Sequence, residues 1–173
     1  MRRLTLIRHG LTEGNVRRWY YGALDLPLCE TGKSALREAA AGGLYPPYSG
    51  ERVLTSGMLR TEQTLRLIYG EVLHESWADL REVRFGIFEG KSYNELKGQP
   101  DYEAWLAGDW FRNVPPGGES FAQAETRILS ALNRMQALFP EEEKSGYDWQ
   151  PRPGGGYQID LAAHTYRRIG IQA

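Results

Sequence analysis

The sequence predicts an α/β fold with a mainly parallel sheet. Short apolar runs that stop at polar or glycine residues alternate with helical stretches along the chain, and that alternation is the mark of strand–helix–strand construction. No internal repeat and no linker divides the 173 residues, a length suited to one domain that buries about two-thirds of its unfolded surface. The expected organisation is therefore a single domain over 1–173, with a small cap at about 93–116.

Each element has its own signal. Leu4 to Ile7 (LTLI), flanked by arginines, is a short buried strand that opens the fold. Residues 30–40 (ETGKSALREAA) carry helix formers, and Gly42-Gly43 stops them. The run Tyr45-Pro46-Pro47-Tyr48-Ser49-Gly50 is a loop by composition. Arg52 to Thr55 (RVLT) is a second strand, and residues 58–70 form a helix with Leu59, Leu65 and Ile68 available for a core face. Glu71 to His74 (EVLH) is a third strand, and residues 79–90 form a loop with a β element. The stretch from Tyr93 to Trp110 is weakly helical and aromatic. Pro115-Pro116-Gly117-Gly118 breaks the chain before a long helix from Phe121 to about Leu138. The tail from Glu141 carries charge, then Pro and Gly, then one alternating patch from Tyr157 to Leu161.

Composition removes several classes of function. With 25% charged residues and a formal net charge of −1, nothing suggests a surface devoted to nucleic acid, although a local basic pocket remains compatible. Cys29 is the single cysteine, so the chain can form neither an internal disulfide nor a cysteine-rich metal site. No run approaches the roughly 20 apolar residues that span a bilayer, and the opening MRRLTLI is too short for the core of a signal peptide. A cytoplasmic protein is expected, with neither a membrane nor a nucleic acid as partner.

In an open α/β sheet, ligands gather at the carboxyl ends of the strands. Arg8 and His9 fall at the end of the first strand, Ser56 and Arg60 follow the second, and Glu82 lies in the loop after the third. Phosphoryl transfer spreads negative charge over three equatorial oxygens, which planar guanidinium groups bind bidentately. A neutral imidazole can attack phosphorus, and nearby arginines favour its neutral form. A carboxylic acid can protonate the leaving oxygen. Any one of these residues alone is more often structural; the weight lies in their combined spacing.

That spacing resembles the histidine phosphatase superfamily, the phosphoglycerate mutase-like proteins. RHGLTEGN, YGALDLPLCETGKSAL, TSGMLRTEQT, DLREVRFGIFEG and PGGES occur in the family's order. The resemblance implies a three-layer α/β/α sandwich of phosphoglycerate mutase-like type. It makes His9 the phosphorylated nucleophile and Glu82 the proton donor, with Arg8, Asn15 and Arg60 holding the phosphate. It implies a phosphatase acting on a small phosphorylated substrate, and no metal or other cofactor is expected, because the chain lacks a His/Asp/Cys cluster at metal-ligand spacing. The short cap is most similar to α-ribazole phosphatase-type members; a phosphoglycerate mutase and a non-catalytic phosphate- or partner-binding member are the alternatives. Leu11, Cys29 and Phe88 stand where the family usually has an acidic residue, threonine and tryptophan. Trp19, Tyr20 and Tyr21 are expected at the pocket entrance.

The second half departs from the pattern. The family's second histidine lies in a strand-HGG motif, and no HG follows residue 10. Counting on from Glu119, its place falls on Pro153 to Gly156. Either His164 is a displaced second histidine, or the strand and its HGG are missing between about Met135 and Ala137. The second arrangement is preferred. It would leave an open edge beside the first strand, which pairing with a second copy could close as a homodimer.

Overall fold

In the computed structural model, residues 3–136, 153–160 and 165–171 are described. The first strand, β1 (Arg3–Ile7), pairs antiparallel with β6 (Gly155–Asp160), from Arg3 opposite Asp160 to Ile7 opposite Gly156. Strand β6 in turn pairs antiparallel with β7 (Thr165–Gly170), which gives the order β1-β6-β7. Two smaller pairs complete the described sheets: β2 (Trp19–Tyr20) antiparallel to β5 (Lys91–Ser92), and β3 (Leu54–Thr55) parallel to β4 (Glu75–Ser76).

The α/β class holds, but the sheet departs from the expected single, mainly parallel one. Among the described residues only β3 and β4 run parallel, and no strand joins β1 to β3. Among those residues β1 has β6 on one side and no described strand on the other. Its Leu4, Leu6 and Ile7 are only half-buried, unlike the residues of a strand covered on all sides.

The helices follow their signals closely. Helix α1 (Glu13–Arg17) is a single short turn region after the first strand; α2 (Glu30–Ala41) stops at Gly42 and Gly43, the latter at φ 67°. Helix α3 (Leu59–Tyr69) ends at Gly70 with φ 73°, a backbone conformation that glycine adopts without strain. Helices α4 (Tyr93–Leu96) and α5 (Pro100–Leu106) form the aromatic stretch, and α6 (Phe121–Gln136) follows the Pro-Gly break. Two expectations need correction. The third strand lies at Glu75–Ser76, because Glu75 and Trp77 donate their N–H groups to Val53 and Thr55 and so fix its register. Leu59 points outward and is exposed, since Arg60 and Thr64 take the buried face of α3. The loop at 79–90 holds two short 3₁₀ turns, at Ala78–Leu80 and Gly86–Phe88, and its expected β element is a single parallel bridge from Glu89 to Tyr20.

Two apolar clusters hold the molecule. Leu28, Leu36, Ala39 and Tyr45 pack with Ile7, Leu67 and Ile68, joining α2, α3 and β1. Complete burial of a residue such as Leu36 contributes about 1.5–3 kcal/mol. The second cluster joins Val83, Phe85 and Phe88 to Leu96, Tyr102 and Trp105 of the aromatic stretch and to Ala124 of α6. Trp105 stacks on Phe121 with ring centroids 6.2 Å apart. Tyr102 and Trp105 are therefore packing residues, whereas Tyr93 and Trp110 remain exposed.

Cys29 occupies the N-cap of α2 in an extended conformation, yet its side chain makes no capping hydrogen bond. A hydroxyl accepts from the first-turn N–H groups far better than a thiol. Cys29→Thr should raise stability by about 0.5–1 kcal/mol in urea unfolding; an unchanged midpoint would show that the α2 cap is already satisfied.

His74 joins the entry of β4 to α3. Its two ring nitrogens lie 3.0 Å from the Val72 carbonyl and 2.7 Å from Glu62 Oε2, both acceptors, so both nitrogens carry protons. The Val72 bond and Glu62 raise the His74 pKa above 6.5. The stabilisation is therefore complete below pH 6.5 and is lost as pH rises through the raised value. The stability difference between the protein and His74→Gln, up to about 1 kcal/mol, should shrink from pH 6 to pH 8.5; a difference that grows with pH would contradict the assignment.

Candidate active site

The end of β1 is fixed from two sides. From the entry to β6, Gly154 N–H donates to the carbonyls of Arg8 (3.1 Å) and His9 (2.9 Å), and Arg8 N–H donates to the Gly155 carbonyl at 2.9 Å. From α3, the Thr64 hydroxyl accepts the Gly10 N–H at 2.9 Å. A side chain at Gly10 would collide with Leu36 of α2, its Cβ lying 2.6 Å from Leu36 Cδ1. Thus Pro153 to Gly156, where the sequence count looked for a second histidine, instead supplies the backbone that braces the first. His164 lies outside the described residues.

His9 Nδ1 lies 2.7 Å from the Gly10 carbonyl. A carbonyl only accepts, so Nδ1 carries the proton and Nε2 keeps its lone pair. Burial lowers the His9 pKa from 6.5 to about 4; the Gly10 bond opposes this, and the charges of Arg60 and Arg8 add to it. The imidazole is neutral across the physiological range.

Arg60, at the start of α3, is 3% exposed. Its Nη1 donates to the Leu24 carbonyl at 3.1 Å and its Nη2 to the Gly22 carbonyl at 3.0 Å. The guanidinium lies over the Tyr21 ring, 5.1 Å from the centroid. Tyr21 also stands edge-on to His9, with centroids 6.4 Å apart, and its hydroxyl is 2.8 Å from Thr12 Oγ1. Burial raises the Tyr21 pKa, with Thr12, Arg60 and Arg8 opposing. Asn15 Oδ1 accepts the Thr12 N–H at 3.0 Å in a capping box, which leaves its NH₂ as the donor for a ligand. Glu82 is exposed, and its charge acts on both Arg60 and Tyr21. The structure thus groups Arg8, His9, Asn15 and Arg60 around one turn, with Glu82 in electrostatic reach. Ser56 is buried and bonded to Thr61 and Arg81, a structural position.

Of the three aromatics expected at the entrance, only Tyr21 adjoins His9. Tyr20 turns into the aromatic cluster, its hydroxyl 2.6 Å from that of Tyr102, and Trp19 lies under Arg17. Sequence reasoning gave no role to Thr64, Asp25 or Glu89. All three sit inside the quoted motifs, and that was their signal. Asp25 caps α3 by accepting the Leu59 N–H at 2.7 Å. Glu119 and Arg127 pair at 2.6 Å, and Arg127 donates to the carbonyls of Asp79, Arg81 and Glu82, holding the Glu82 loop.

The family model for the histidine phosphatase superfamily (branch 1) matches residues 4–144. The chain belongs to that family. It is 32% identical over 155 residues to fructose-2,6-bisphosphatase TIGAR B of Danio rerio, covering 86% of this chain and 58% of that protein. It is 32% identical over 140 residues to the adenosylcobalamin/alpha-ribazole phosphatase of Salmonella typhimurium, covering 79% of this chain and 68% of the relative. A phosphoglycerate mutase structure from Thermus thermophilus superposes with a TM-score of 0.70 at 24% identity, over 99% of this chain and all of the other; at that identity the likeness is one of fold. Among the described residues, no helix is long and apolar enough to cross a membrane.

In the ligand-free protein, ¹⁵N-histidine NMR should show His9 as the Nδ1–H tautomer from pH 8 down to pH 5, protonating only near pH 4. A midpoint near the ordinary histidine value of about 6.5 would show that the imidazole is not held as described.

Proposed function

We propose that this protein is a phosphomonoesterase that works through a phosphohistidine at His9, on a small phosphorylated metabolite of the kind α-ribazole phosphatases handle. One observation carries the reading: a neutral imidazole with Nε2 available, set between the charges of Arg8 and Arg60. Nε2 attacks phosphorus in line; the N–P bond forms as the ester P–O bond breaks. Arg8 and Arg60 neutralise the equatorial oxygens, the Asn15 NH₂ donates to one of them, and Glu82 gives its proton to the leaving alkoxide. Glu82 then takes a proton from water, whose oxygen attacks phosphorus; the N–P bond breaks and inorganic phosphate leaves. The low proton affinity of His9 suits both steps, since the nucleophile needs no deprotonation and is a competent leaving group for the second.

A second reading has its own support. Among the described residues no strand flanks β1 on the side toward β3, which fits a member that binds phosphorylated ligands without turning them over.

The test is hydrolysis of p-nitrophenyl phosphate in the presence of a chelator. His9→Ala should abolish turnover, and Arg60→Ala should lower kcat/KM by about 10²- to 10³-fold, as loss of a group that stabilises transition-state charge does. Glu82→Gln should slow an alkyl phosphate more than p-nitrophenyl phosphate, because the poorer leaving group depends more on its proton. A wild-type protein that binds inorganic phosphate but never hydrolyses an ester would establish the second reading; one that does neither would sink both.

A further inference from the structure

We infer that Glu89 is a positioning residue that aims the Arg60 guanidinium through the backbone of residues 22–24. The inference rests on the phosphate-binding role proposed for Arg60. The Glu89 carboxylate receives the Gly22 N–H at 2.9 and 3.0 Å, the Ala23 N–H at 3.0 Å and the Leu24 N–H at 3.1 Å. It also accepts the Phe85 N–H at 2.9 Å. Three consecutive N–H groups converging on one anion form a nest, which fixes the loop's backbone far more narrowly than a single bond. The carbonyls of the same loop face the other way: Gly22 and Leu24 hold the two terminal nitrogens of Arg60. One short loop therefore has a carboxylate on its donor side and a guanidinium on its acceptor side. The direction of the first sets the direction of the second.

The Phe85 contact extends the device to the segment that carries Glu82. The 22–24 loop and that segment meet backbone to backbone, for a Cβ on Gly22 would lie 1.8 Å from the Val83 carbonyl oxygen. Glu89 thereby ties together the loop that holds Arg60 and the segment that presents Glu82. Glutamine in its place would offer one good acceptor and turn an NH₂ toward N–H groups. The loop would have to shift, and the Arg60 fork with it.

The experiment is a double-mutant cycle on Glu89→Gln and Arg60→Ala, read by the dissociation constant for inorganic phosphate and by kcat and KM for p-nitrophenyl phosphate. Thermal unfolding is followed in parallel. In the wild-type background Glu89→Gln should weaken phosphate binding and lower kcat/KM by about 10- to 100-fold, the loss typical of removing a partner that orients a ligand-binding group. In the Arg60→Ala background it should cost nothing further. A residue that serves only the fold would lower the unfolding temperature and leave the phosphate constant unchanged, or would act equally in both backgrounds; either result overturns the inference. Should Glu89→Gln fail to fold, Glu89→Asp, which keeps the charge but reaches one methylene less, carries the same cycle with the same expectations. A wild-type protein that neither binds phosphate nor hydrolyses the ester removes the proposed function and this inference together. Binding with an additive cycle removes this inference alone.

Discussion

The burial of one guanidinium constrains most of what surrounds it. Arg60 keeps its charge in a place almost without solvent, and a buried charge is tolerable only when polar groups replace the water it has lost. The chain meets that need with backbone carbonyls from Gly22 and Leu24, the face of Tyr21 and the nearby charges of Asp25, Glu82 and Glu89. None of these neutralises the fork completely at close range. A phosphoryl dianion beside His9 would, and the same positive field adds to burial, the larger cause, in keeping His9 unprotonated. The electrostatics that make the fold costly at this point are those that would make the site useful.

The braces around the His9 turn show how little of a site is made by its reacting groups. Thr64 receives Gly10, the Gln63 side chain accepts the Leu28 N–H at 2.8 Å, and Gly32 lets α2 approach Leu11 so closely that a Cβ there would lie 2.3 Å from its carbonyl oxygen. Glu119 and Arg127 do the same for the Glu82 segment from α6. Apart from Gly32, each brace is a buried or half-buried polar side chain bonded to backbone, so each holds a loop in one geometry.

Among the described residues, β1 has a strand partner on one side only. With β6 on one side and no described strand toward β3, the first strand is only half covered, yet the turn it ends in is still held at three points. Two of those come from Gly154 and Gly155, and Gly156 can lie against β1 only because it has no side chain; a Cβ there would stand 2.1 Å from the Leu6 carbonyl oxygen. The glycine run late in the chain thus ties the C-terminal hairpin to the nucleophile turn.

The sequence by itself determined the class of fold, marked the helices at 30–40 and 58–70 and the opening strand, and offered Arg8, His9, Asn15, Arg60 and Glu82 as candidates. Those are legible because they depend on local chemistry: helix formers bounded by glycine, an apolar run that stops at charge, and motif letters at fixed spacing. Only the tertiary structure decided that Tyr21 stands beside His9 while Tyr20 turns into the core, that the third strand sits at Glu75–Ser76, and that Glu89 reaches a loop more than sixty residues earlier in the chain. Two-residue strands have too few side chains to set a pattern, so their register comes from the partner strand. Neighbouring aromatics share one composition and point to opposite sides. A carboxylate that binds backbone N–H groups has partners of no particular side-chain type, so nothing in the amino-acid letters announces them.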